Sequence, residues 1–289
     1  MFLLKLAVRL PLPVLHGLGI LLGWLAYWAP GRRSVRIRSQ LLESGLCTPG
    51  RDCRRLLRRA VGESGKALIE LPAVWLRPYD KVLKLIRGTS GWEHIDAARA
   101  AGKGVIVIAP HIGCFEMINL YYASRHPFTA MYKPPRQAYL DRLMKSGRER
   151  GQATLVPTDL SGVRALLAAL KRREGIGILP DQVASSGDGV WAPFFGRPAY
   201  TPTLVASLQR KTGAAAFFVA AERLSRGRGY HLHVTPVDGD LPDDKAAAAL
   251  RINQGVEDVV RRFPAQYMWS YYRYKRPGGV AQPEEQGRA

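Results

Sequence analysis

Residues 104–116 read Gly-Val-Ile-Val-Ile-Ala-Pro-His-Ile-Gly-Cys-Phe-Glu. The apolar, β-branched run predicts a strand over 104–109 that stops at Pro110. His111 then stands at a strand end, and Glu116 follows five residues later, where a helix can begin. Downstream the pattern alternates: helix 114–124, strand 128–132, helix 137–149, strand 153–156, helix 161–172 and strand 175–179. Apolar strands at 214–221 and 230–237 and a helix over 243–262 complete it. Such alternation predicts an α/β fold, a mostly parallel sheet flanked by helices.

In open α/β sheets, ligands sit outside the carboxyl ends of the strands, which is where His111 falls. A histidine beside a carboxylate can take a proton from an alcohol near neutral pH. Glu116 could accept a bond from one ring nitrogen and leave the other facing a hydroxyl, with Gly113 allowing close backbone approach. The alternative for such a histidine is a structural side chain bonded to backbone. Two further polar stations lie at predicted strand ends, Lys133 with Arg136 and Pro180-Asp181-Gln182. Arg142, Lys145, Arg148 and Arg150 stud the intervening helix and its end. Basic groups at one sheet edge can hold phosphates, arginine by its fork of donors. There is no Gly-x-Ser-x-Gly elbow for an acyl-serine, no P-loop and no Gly-x-Gly-x-x-Gly, so no nucleotide cofactor is expected.

The chain has 289 residues and a formal net charge of +20, so anionic partners are expected: nucleic acid, an acidic protein or phosphorylated lipid. From Leu10 to Pro30 no residue is charged, a length that suits a membrane anchor lying in or across the bilayer. A buried core helix is the competing reading. Arg32, Arg33, Arg36 and Arg38 follow it, which by the positive-inside rule places the body on the cytoplasmic side. Arg51, Arg54, Arg55, Arg58 and Arg59 then fall on one helical face, suited to anionic headgroups or to water. Cys47, Cys53 and Cys114 are odd in number, which argues for unpaired thiols in a reducing compartment; the first two lack zinc-like partners, so no metal is expected. The expected organisation is an anchor with basic flank over 1–38, an α/β domain over 39–276 and a disordered tail over 277–289.

Four ordered blocks carry a resemblance: His111-x-x-x-x-Glu116, Pro180-Asp181-Gln182, residues 190–196 (Val-Trp-Ala-Pro-Phe-Phe-Gly) and residues 266–275 (Gln-Tyr-Met-Trp-Ser-Tyr-Tyr-Arg-Tyr-Lys). Together they resemble the late acyltransferases of lipid A biosynthesis, within the lysophospholipid acyltransferase superfamily. Cys114-Phe115 depart from the polar residue and Trp common there, though Phe115 keeps the aromatic character. The resemblance implies transfer of a fatty acyl chain from acyl carrier protein, an acidic protein, to a hydroxyl of an anionic lipid A precursor at the inner membrane. His111 would act as general base with Glu116, without a covalent intermediate. Lys133, Arg148, Asp181 and Gln182 would contact substrate or its phosphates. Acylation of another membrane lipid, such as an ornithine lipid, glycolipid or lysophospholipid, is the alternative acceptor. A non-enzymatic basic protein that binds membrane or nucleic acid is the alternative class.

Overall fold

The computed structural model describes residues 9–29, 31–135 and 137–283. Helices α1 (Leu12–Trp28), α2 (Arg32–Glu43), α3 (Arg51–Leu76) and α4 (Tyr79–Leu83) precede the sheet. Then follow β1 (Ile86–Ser90), α5 (Trp92–Ala100), β2 (Val105–Ile108), α6 (Glu116–Ala123), β3 (Phe128–Tyr132), α7 (Ala138–Arg148), β4 (Ala153–Pro157), α8 (Leu160–Lys171) and β5 (Gly175–Ile178). The chain ends with β6 (Gly189–Phe194), β7 (Arg197–Pro202), α9 (Leu204–Thr212), β8 (Ala215–Arg223), β9 (Tyr230–Pro236) and α10 (Lys245–Arg262).

Seven strands form one sheet in the order β1-β9-β8-β2-β5-β3-β4. Five run parallel; β9 is antiparallel to β8, and β1 follows β9. This is the expected mostly parallel sheet flanked by helices. The reason for the unbroken apolar run in β2 is that both its faces are covered. Ile106 and Ile108 pack with Leu166 of α8 and Val256 of α10. Val105 and Val107 pack on the opposite side with Trp92 of α5 and Met117 of α6.

Sequence reading omits the hairpin β6–β7, because Pro193, Pro198 and Pro202 argue against strands. The hairpin forms beside the main sheet, where prolines do not interrupt a central ladder. Its turn residues Phe195 and Gly196 both have positive φ, 46° and 72°, as a tight hairpin loop matched to strand twist requires.

The uncharged N-terminal stretch becomes the 17-residue α1. No helix among the described residues is long and apolar enough to cross a membrane. Leu12, Leu15, His16, Gly19 and Gly23 face inward, and α1 lies against α3 at contact distance. A Cβ on Gly65 of α3 would overlap the carbonyl oxygen of Gly19, so only glycine permits this approach. The opposite face, with Val14, Leu18, Leu21, Leu22, Leu25 and Trp28, is exposed. Arg51, Arg54, Arg55, Arg58 and Arg59 are all exposed as well.

A buried ionic cluster ties α1 and α3 to the sheet. Arg223 at the end of β8 bonds Glu70 through Nε (2.9 Å) and Nη2 (2.6 Å), and Glu63 through Nη1 (2.7 Å). Tyr230 donates to Glu70 (3.0 Å), and His16 lies 3.3 Å from the same carboxylate. Burial pushes the Glu70 carboxyl up, but Arg223 and the hydrogen bonds outweigh it and bring it to about 2. A carboxyl with a depressed native pKa stabilises the fold above its unfolded value, 4.5, and loses that contribution as pH falls toward 2. The stake is on the order of 3 kcal/mol. Urea unfolding of wild type should therefore weaken steeply below pH 4.5, and Glu70→Gln, less stable at neutral pH, should show a shallower slope there. Parallel pH profiles for the two proteins would remove Glu70 as the cause.

Cys47 and Cys53 are disulfide-bonded, with Cα atoms 5.2 Å apart. This corrects the expectation of unpaired thiols, and the argument for a reducing compartment loses that support. The loop between α2 and α3 folds back on the first turn of α3, a closure that the six-residue spacing permits but does not announce. Cys114 is free and buried, and burial followed by the Glu70 charge raises its thiol well above the usual range. In the expected tail, residues 277–283 follow an irregular path, with Trp191 donating to the Ala281 carbonyl (2.9 Å). Residues 284–289 lie outside the described residues.

Candidate active site

β2 and β5 run side by side with Ile108 opposite Ile178. His111 and Asp181 each lie three residues beyond that pair, so parallel register delivers them to the same point. The Asp181 carboxylate takes two bonds from one residue, Nδ1 of His111 (2.8 Å) and its backbone N–H (2.9 Å). Asp181 is 3% exposed. Burial pushes its carboxyl up, yet the His111 ring and amide prevail and hold it below the ordinary aspartate value. An ionised Asp181 keeps the proton on Nδ1 and leaves the Nε2 lone pair available. The amide nitrogen of Gln182 lies 3.2 Å from Nε2, where a hydroxyl would have to come. Phe115 packs edge-on against the imidazole, 4.8 Å between centroids.

The carboxylate on His111 is thus Asp181, where sequence reading expected Glu116. Gly113, with φ of 57°, turns the chain sharply after the strand. Here a Cβ would overlap the Ala221 carbonyl. Glu116 then starts α6, and its side chain meets Arg148 at the end of α7. Nε of Arg148 lies 3.1 and 2.8 Å from the two carboxylate oxygens, and Nη2 closes a second bond to Oε1. Glu116 is 3% exposed. Burial works against the Arg148 charge, but Glu116 more than restores it. The guanidinium also lies 5.5 Å over the Trp75 ring, and Asn119 bonds the Arg148 carbonyl (2.9 Å).

His111, Glu116, Lys133, Arg148 and Gln182 all line one cavity of about 880 Å³, with Asp181 behind His111. Its walls are largely apolar, from Val107, Phe128, Ala130, Met131, Leu155 and Val163. Lys133 is exposed at the opening. The other basic residues of that stretch do not reach it. Lys145 pairs with Asp141 (3.3 Å), and Arg150 turns to the carbonyls of Arg77 (2.7 Å) and Val74. Arg142 is exposed outside the lining, and Arg136 lies outside the described residues.

Sequence reading missed the brace behind these residues, although it quoted the block that supplies it. Met268 N–H bonds the His111 carbonyl (3.1 Å), and Val183 N–H donates to the Tyr271 hydroxyl (3.0 Å). Burial and the neighbouring Asp181 charge raise the Tyr267 phenol well above its usual range. Arg273, 1% exposed, donates to the Tyr200 carbonyl (2.9 Å) and Thr201 (2.7 Å), while its backbone N–H donates to the Gln40 side-chain oxygen (3.0 Å). The only signal was an aromatic-rich run with a single arginine, which composition cannot distinguish from ordinary core.

Residues 1–276 match the family described as bacterial lipid A biosynthesis acyltransferase. The chain is similar to the lipid A biosynthesis palmitoleoyltransferase of Escherichia coli K12, 29% identical over 281 residues, covering 96% of this chain and 90% of that protein. It is equally similar to the lauroyltransferase of the same organism, 29% over 283 residues with the same coverage. A phosphatidylinositol mannoside acyltransferase of Mycobacterium tuberculosis is 28% identical over 204 residues, 68% of this chain and 63% of that protein. With all but its last thirteen residues matched, this chain belongs to the bacterial lipid A biosynthesis acyltransferase family.

Proposed function

We propose that this acyltransferase moves a fatty acyl group from acyl carrier protein to a hydroxyl of a lipid A precursor, with His111 as general base. The observation that carries the reading is the His111–Asp181 pair, whose Nε2 edge, met by the Gln182 amide, faces a largely apolar cavity. The acceptor hydroxyl displaces the Gln182 amide and gives its proton to Nε2. Its oxygen attacks the thioester carbonyl, the tetrahedral intermediate collapses, and the departing thiolate recovers the proton from His111. An ester and a free thiol result, with no acyl-enzyme. Asp181 stabilises the imidazolium formed in between. The apolar walls take the acyl chain. Lys133 and the Glu116–Arg148 pair set the charge beside it, Lys133 and the Arg148 guanidinium serving the acceptor phosphates and the developing oxyanion.

Access from a bilayer fits the exposed apolar face of α1, which suits a helix lying in the cytoplasmic leaflet of the inner membrane. The net charge of +20 suits both the anionic acceptor and an acidic carrier protein.

The test is an assay of the purified full chain with acyl-carrier-protein and coenzyme A thioesters, offered a lipid A precursor, a phosphatidylinositol mannoside or a lysophospholipid. Products are read by mass spectrometry. Transfer to the lipid A precursor from the carrier protein, with KM for the donor rising with salt, is expected. Preferential acylation of another lipid would replace the acceptor, and a salt-independent donor KM would remove the electrostatic docking.

A further inference from the structure

A second cavity, about 430 Å³, opens where the end of α1, the middle of α2 and the start of α3 meet. It shares no lining residue with the cavity at His111. Its interior is apolar, from Tyr27, Leu41, Cys53 and Leu57, and Arg38 and Arg54 stand exposed on its rim. Among the described residues neither guanidinium has a hydrogen-bond or ion-pair partner. Between residues 32 and 59 there are nine arginines and two carboxylates, so an anion is the complement that this region lacks. The first turn of α3 adds backbone N–H groups without a side-chain cap. Close by, Trp28, Val35 and Leu42 expose large apolar surfaces.

The geometry points to a binding site for one anionic phospholipid of the bilayer, its phosphodiester between Arg38 and Arg54 and an acyl chain in the cavity. An acidic protein would satisfy the arginines but leave the concave apolar interior empty. The size lies within the range of small-molecule sites. Two guanidiniums forking one phosphate provide the directional contact, and the apolar interior provides the non-directional one. Occupancy would seat this edge of the molecule on the leaflet beside the exposed face of α1. The site does not depend on the chemistry at His111.

The experiment titrates the full chain in neutral detergent with monomeric short-chain phosphatidylglycerol, the matching phosphatidylcholine, or inorganic phosphate. Binding is read by calorimetry. Saturable one-site binding of phosphatidylglycerol is expected, with phosphatidylcholine and phosphate at least about tenfold weaker. Arg38→Ala/Arg54→Ala should weaken phosphatidylglycerol by a similar factor. Arg164→Ala/Lys211→Ala, which removes equal charge from exposed positions elsewhere, should bind as wild type. Leu42→Trp keeps both arginines but blocks the mouth, and should also lose binding without loss of thermal stability. His111→Ala should bind normally, so failure of the catalytic reading leaves this result unchanged. Equal affinity for the two lipids, equal losses in both double variants, or full binding by Leu42→Trp would overturn the site.

Discussion

His111→Ala should fold as wild type and lose acyl transfer by about 10²- to 10⁴-fold, the range that a positioned general base supplies. The side chain is 11% exposed and opens on a cavity, so its removal enlarges a space that is already there. Asp181→Asn tests the arrangement more sharply. It preserves shape but offers an amide where Nδ1 needs an acceptor, which favours the tautomer with its proton on Nε2. In a Ser-His-Asp triad the same change costs about 10⁴ in kcat, and a comparable loss is expected. The measurement is single-turnover transfer with saturating donor, alongside circular dichroism to establish folding. A well-folded His111→Ala protein with full activity would sink the mechanism. Undiminished turnover by Asp181→Asn would return the orienting role to another group.

Arg148→Met should be the most damaging substitution for stability at the site. It leaves the Glu116 carboxylate, 3% exposed, without its bidentate partner, and breaking a buried pair from one side costs about 3–5 kcal/mol. Urea denaturation should show that loss. The double variant Glu116→Gln/Arg148→Met removes both charges and should recover most of the stability. Transfer should stay impaired in the double variant, because the charge beside the acyl cavity is gone. Recovery of activity together with stability would make the pair a purely structural tie. Wild-type stability in Arg148→Met would mean that Glu116 is not held as buried as it stands.

The central strands were legible because their signal is local. Val105 to Ile108 is apolar at every position, and helices cover both faces of the sheet there. Strand ends were legible for the same reason, so His111, Lys133 and the Asp181–Gln182 pair all came from reading where apolar runs stop. The hairpin β6–β7 was not legible, since its prolines are tolerated only by a pairing that lies outside the main sheet. Nor was the disulfide, because a separation of six residues between two cysteines says nothing about how the loop folds.

What the sequence by itself determined is the layered α/β plan and the set of polar residues gathered at one sheet edge, since both follow from short-range patterning. Its four motif blocks also placed the chain in its family. Which carboxylate serves which cation was decided by tertiary structure alone. Glu116 is five residues from His111, while Asp181 is seventy away. Parallel register between β2 and β5 brings the distant one within 2.8 Å, and the turn at Gly113 commits the near one to Arg148. The fate of the uncharged N-terminal stretch was settled in the same way. Its apolar length suggested an anchor; glycines meeting across α1 and α3, and the buried Arg223 cluster beneath, give it an inner face that packs and an outer face left bare.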